Sequence, residues 1–215
     1  CPNCGNIISS ERLLKGLPCD ICLKEEVERE KICEEIKDGF LKETCEIRKR
    51  LNEFKNIFKN SIKNEPWSLQ ETWAIRYFMN TSFALIAPTG IGKTTFGLVL
   101  SKYISENENG KVYLVFPTNL LVNQAKERLL SYGVQEEKIL AYSSRFFKTK
   151  KDKNLAKNRI ENSDFKILIT TTNFLCKNFN IIPKGVFKLL FIDDVDSILK
   201  RAKHLDKILY LLGFD

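Results

Sequence analysis

The sequence predicts an α/β protein built on a doubly wound parallel sheet, and three features carry that prediction. Short apolar runs of strand length alternate with segments of helical spacing. One run, Ser82 to Ala87, ends in a Pro/Gly-rich turn that opens a helix, and another, Phe187 to Ile192, ends in a cluster of aspartates. Ahead of this body stand paired cysteines and a highly charged stretch. The expected organisation is therefore a small four-cysteine module over 1–23, a helical connector over 24–64 and an α/β lobe over 65–215.

A chain of 215 residues can bury a core of one mid-sized domain and still carry a small module. No apolar run approaches the ~18 residues of a membrane span, and no secretory leader opens the sequence, so a cytoplasmic protein is expected. A first residue of Cys rather than Met suggests a piece of a longer protein. The formal charge of +8 favours a polyanionic partner. Seven cysteines without a leader argue for thiols and metal in a reducing compartment.

Cys1, Cys4, Cys19 and Cys22 form a C-x2-C-x14-C-x2-C pattern, close to four-cysteine zinc spacing. Two short turns present paired thiolates to a tetrahedral Zn²⁺, and so few residues build no core without such a clip. Four thiolates leave zinc no open position, so the expected role is structural. From Leu23 to Asn64 apolar residues recur at Ile36, Phe40, Ile47, Leu51, Phe54 and Phe58, one helical stripe that Gly39 is expected to interrupt. Cys33 and Cys45 lack zinc spacing and read as reduced thiols.

Ser68 is expected to cap a helix bearing Trp73, Tyr77 and Phe78. Next come the strand Ser82 to Ala87 and the turn Ala87-Pro88-Thr89-Gly90-Ile91-Gly92-Lys93-Thr94-Thr95. Gly90 and Gly92 let backbone N–H groups turn inward on a polyphosphate such as that of ATP. Lys93 can reach its outer phosphates, and the Thr94 hydroxyl can ligate Mg²⁺ at the positive end of a helix. The first glycine of the usual phosphate-loop pattern is Ala87 here.

Lys111–Phe116, Ile139–Tyr142, Phe165–Thr171 and Phe187–Asp193 read as further strands, with a helix over Leu120 to Tyr132 following Pro117-Thr118-Asn119. The last strand ends in Asp193-Asp194-Val195-Asp196, where a parallel sheet displays its chemistry. Asp193 suits Mg²⁺ held through water, and Asp194 suits orienting or deprotonating an attacking water.

These pieces in this order resemble the first RecA-like lobe of superfamily-two helicases. The resemblance implies that Gln70, 23 residues before the loop lysine, reads adenine, with Phe54 or Phe58 stacking on the base. It also implies that Pro117-Thr118 and Thr171-Thr172-Asn173 contact nucleic acid. The four-cysteine finger, Trp-Ser-Leu-Gln-Glu-Thr-Trp-Ala at 67–74 and Asp-Asp-Val-Asp at 193–196 sharpen it: together they look like the amino-terminal part of the reverse gyrases. In that family a helicase-like ATPase fused to a type IA DNA topoisomerase introduces positive supercoils. A second RecA-like lobe and the topoisomerase domain of the same chain are then expected partners beside DNA, and a monomer is expected. None of the six tyrosines here is the family's nucleophile.

Two other readings stay open, a stand-alone zinc-bearing DNA or RNA helicase and a non-hydrolysing nucleic-acid-binding module. The segment between the two nucleic-acid motifs also stays open. Between Arg145 and Lys166 it holds eight basic residues against three acidic ones, which suits either phosphate contact or a solvated face.

Overall fold

The computed structural model describes residues 1–147, 149–193 and 202–211. The chain divides into two compact units, Cys1–Asn56 with Trp67–Ala84 and Ile57–Pro66 with Leu85–Asp215.

In the first unit, α1 (Ser10–Leu14) is capped by Ser9, α2 is Ile32–Glu35, and the 23-residue α3 (Phe40–Ile62) runs on into the second unit. Gly39, at φ +90°, breaks the helical run as expected. It has a second reason to be glycine, because an added Cβ would sit 2.5 Å from the Asn3 side chain. Leu17, Leu23 and Ile36 form the small core of the cysteine module, and the Arg12 guanidinium holds its loops by donating to Pro18 O and Leu23 O.

Three expectations change here. Cys33 and Cys45 are joined in a disulfide, with Cα atoms 5.3 Å apart. The turn at Gly39 brings α2 back on α3, a proximity that cysteine spacing does not reveal. Phe54 and Phe58 are fully buried, Phe54 edge-on to Phe78 at 6.4 Å, so neither face is free to stack on a base. Ser68 is the first residue of α4 (Ser68–Phe78) rather than its cap. Trp67 holds the extended cap position, and the Gln70 side chain accepts from its N–H at 3.0 Å.

The second unit carries the sheet. Its strands are β1 (Lys111–Phe116), β2 (Ile139–Ala141), β3 (Ile167–Thr171) and β4 (Phe187–Ile192), all parallel in the order β2-β3-β1-β4. The helices are α5 (Lys93–Asn107), α6 (Asn119–Ser131), α7 (Lys150–Glu161), α8 (Thr172–Lys177) and α9 (Ala202–Leu211). One core layer joins Tyr113, Val115, Leu140 and Leu168 of the strands to Ala156 and Ile160 of α7, Phe174 and Leu175 of α8, and Ile208 and Leu211 of α9. The alternate strand residues Val112, Leu114, Ile167 and Ile169 are also buried, so the sheet is covered on both faces, as its continuous apolar runs require.

The expected strand from Ser82 to Ala87 is absent. Phe83, Leu85 and Ala87 are half-buried while Ser82, Ala84 and Ile86 face outward, Ile86 at 92 % exposure. The period of two is thus kept without a ladder. Alternation specifies extended backbone, whereas a strand also needs a partner edge in register, which no run encodes by itself.

Candidate phosphate-loop site and four-cysteine centre

Parallel order puts the ends of β1, β3 and β4 on one edge, so Pro117-Thr118, Thr171-Thr172-Asn173 and Asp193 share that edge. The loop belongs to it through α5. Gly90 and Gly92 sit at φ +88° and +86°, and Gly92 is the cap of α5. The first helical bond is Phe96 N to Gly92 O at 2.9 Å, which leaves the N–H groups of Lys93, Thr94 and Thr95 at the positive helix end without intrahelical partners. The Lys93 ammonium turns back across the loop and donates to the carbonyls of Ala87 and of Pro88, the latter at 3.1 Å.

Thr94 Oγ1 lies 3.5 Å from Asp193 Oδ2. Two features bring them together. Asp193 N bonds Val115 O at 2.9 Å, which extends the β4 ladder by one residue. Gly97 lets α5 settle onto β4, since a Cβ there would meet the Phe191 ring at 2.7 Å. Neither Gly97 nor Arg128 was singled out in the sequence. Arg128 of α6 donates to Thr95 Oγ1 at 2.7 Å and to the Tyr132 hydroxyl at 2.8 Å, tying the loop's last threonine to the neighbouring helix. A long-range partner of this kind leaves no trace in local spacing.

The remaining predicted residues fall in several places. Gln70 is buried in the first unit and the loop lies in the second. Thr118 Oγ1 caps α6 by accepting from Leu121 N at 3.3 Å, so its own proton stays available to a phosphate. Thr171 Oγ1 likewise caps α8 through Phe174 N, whereas the Thr172 hydroxyl donates to Phe116 O at 3.4 Å and Asn173 is exposed. Asp194, Asp196 and Lys148 lie outside the described residues.

In the first unit the sulfurs of Cys1, Cys4, Cys19 and Cys22 all lie within 4.8 Å of one another, and Cys4 and Cys19 are 3.6 Å apart. A ZnS4 tetrahedron with bonds of about 2.3 Å needs sulfurs roughly 3.8 Å apart, so the donor set fits zinc. The Asn6 backbone hydrogen bond holds the Cys4 thiol below its usual value, which favours the thiolate. Cys22 is pushed up. Asn3 favours its thiolate, but burial and the Cys4 and Cys19 sulfurs outweigh that bond. Asn3, 8 % exposed, donates to Asp38 O and accepts from Leu41 N at 2.8 Å, and so fastens the cysteine turn to the start of α3.

Residues 68–213 match the family described as DEAD/DEAH box helicase, and residues 1–43 match the reverse gyrase zinc finger. Over the whole chain the sequence is 50 % identical to reverse gyrase 1 of Aquifex aeolicus and 40 % identical to the reverse gyrase of Methanocaldococcus jannaschii. It spans 18 % and 13 % of their lengths. Among solved structures, two of the T4 UvsW helicase superpose with TM-scores of 0.53 and 0.57 at 23 % and 19 % identity, covering 70 % and 94 % of this chain and 49 % and 37 % of theirs. At that identity the likeness is one of fold.

Proposed function

Because the chain belongs to the DEAD/DEAH box helicase family, we propose that it is the ATP- and DNA-binding front part of a reverse gyrase, an ATP-dependent type IA topoisomerase that introduces positive supercoils. The observation that carries the ATP half is the meeting of Thr94 with Asp193 beside the loop of Lys93. The reverse gyrase half is supported by the zinc finger match and by four cysteine sulfurs gathered within bonding reach of one ion.

In this reading the N–H groups of Gly90 to Thr95 and the backbone of Ala87 to Thr89 cradle the phosphates of ATP. Lys93 leaves its carbonyl partners for the outer phosphates. Thr94 and Asp193 hold Mg²⁺, which neutralises charge developing on the transferred phosphoryl group. Asp194 orients or deprotonates the attacking water, and Gln70 reads adenine. Zn²⁺ on Cys1, Cys4, Cys19 and Cys22 is structural. Pro117, Thr118, Thr171, Thr172 and Asn173 line the DNA path, Thr118 through its spare hydroxyl proton. A second RecA-like lobe and a topoisomerase domain of the same protein complete the machine, which acts as a monomer in the cytoplasm. Among the described residues no helix is long and apolar enough to cross a membrane.

Lys93→Ala tests this reading. A lost charge-assisted contact is worth about 1.5–3 kcal/mol, so ATP–Mg²⁺ affinity should fall by a factor on the order of 10 to 10² while the melting curve holds. The fold should survive because, among the described residues, the ammonium bonds to loop carbonyls alone. In the protein with all its domains the same change should abolish ATP-dependent positive supercoiling of a plasmid. Unchanged nucleotide affinity removes the loop's assigned role, and the absence of supercoiling by the parent removes the reverse gyrase assignment.

A further inference from the structure

Of the eight basic residues between Arg145 and Lys166, the seven that the structure describes are not equivalent. Arg145 pairs with Glu127 at 3.2 Å, and Arg159 pairs with Asp164 at 2.9 Å. Lys166 stands just before β3 at the opposite, amino edge of the sheet. What remains is α7, where Lys150, Lys151 and Lys153 are exposed, Lys157 is half-buried, and none of the four forms an ion pair with an acid among the described residues.

Ala156 and Ile160 turn inward, which leaves Lys150, Lys153 and Lys157 along one flank at i, i+3 and i+7. Three lysines in the first four positions of a helix oppose its dipole, a local cost that only Asp152, spent on the Thr149 cap, relieves. The start of α7 also has a defined address. The ring of Phe147, just before the helix, lies 4.7 Å from Tyr142, which lies 4.2 Å from Phe174 in the helix opened by Thr171. On its other side Lys126 of α6, the helix capped by Thr118, sits 4.8 Å over Phe146. These contacts fasten residues 146–147, which lead toward α7, against α6 and α8, the helices that follow the Thr118 and Thr171 turns.

We infer that the flank of α7 formed by Lys150, Lys153 and Lys157 continues the DNA path, holding successive phosphates of one strand beyond the Thr118 and Thr171 turns. The inference rests on the DNA-binding reading above. Seven residues of helix span roughly 10 Å, the rise of about three phosphates of one strand at roughly 3.4 Å each along the duplex axis. Flexible ammonium groups match unshaped phosphate charge and read no base, so the contact is indifferent to sequence.

The test is the affinity of the chain for a labelled DNA duplex across a salt series. The variants are Lys150→Ala/Lys153→Ala/Lys157→Ala and a control with the same charge loss toward the amino edge, Lys138→Ala/Lys166→Ala/Lys188→Ala. Alanine favours helix, so α7 should persist, and a melting curve for each variant checks this. The α7 variant should flatten the log–log salt slope by about two to three units and the control by less than about one. A slope equal to the parent's, or an equal fall in both variants, overturns the α7 path and leaves the threonine turns standing. A parent chain without measurable duplex binding overturns the DNA reading and the α7 path together.

Discussion

Gly97 shows how one absent methyl group places the chemistry. By helix propensity alone, Gly97→Ala would stabilise an interior position of α5 by about 1 kcal/mol. The Phe191 ring 2.7 Å from that Cβ decides the opposite sign, because Phe191 is itself buried and an overpacked core loses roughly 1–3 kcal/mol. Gly97→Ala should therefore lower stability in a denaturant titration, and it should weaken ATP–Mg²⁺ binding by prising Thr94 from Asp193. A variant as stable as the parent with full affinity would mean that β4 yields easily. Arg128 works at the same scale, since its bond to Thr95 couples the loop to α6.

At the scale of elements, α3 and the cysteine module are joined by three independent devices. The Asn3 side chain grips Asp38 and Leu41, Leu41 packs on the core of Leu17, Leu23 and Ile36, and Cys33 is bonded to Cys45. That core is too small to hold alone, so metal binding and folding should be coupled there. Metal analysis should find about one zinc per chain. Chelation should expose residues 1–43 to proteolysis while the sheet of the second unit stays protected, and a metal-free module that resists protease would refute the coupling. The disulfide predicts that, in denaturant without reductant, five of the seven cysteines react with a thiol reagent, namely Cys1, Cys4, Cys19, Cys22 and Cys176. Seven reactive thiols would restore the reduced pair that cysteine spacing suggested.

For the whole molecule, the cations around the loop bear on turnover. Lys93 is the only basic residue from Ala87 to Thr95, and Arg128 is committed to Thr95 and Tyr132. An arginine contributed to a phosphoryl-transfer site is worth on the order of 10³-fold or more in rate. The chain spans under a fifth of its reverse gyrase relatives, and in the proposed machine the second lobe supplies that charge. The chain by itself should bind ATP yet hydrolyse it at least about a thousandfold more slowly than the protein with all its domains. Comparable DNA-stimulated rates in a phosphate-release assay would place a complete site within these 215 residues.

The parallel strands, the loop with Gly90, Gly92, Lys93 and Thr94, and the four-cysteine set were legible because each is local. Apolar period, positive-φ glycines and short ligand spacing are properties of neighbours in the chain. Gly39 was legible for the same reason. What the sequence left open depended on partners far away in it. The run from Ser82 to Ala87 alternates like a strand and finds no ladder. Phe54 and Phe58 look available in a charged segment and are buried in the core. Cys33 meets Cys45 only because a turn folds one helix onto the next. Of the seven described cations from Arg145 to Lys166, pairing, position in the sheet and helix phase separate the three on the flank of α7 from the rest. Local chemistry is written in spacing, whereas register, burial and ion pairing are set by which surfaces meet, and that is decided in the tertiary structure.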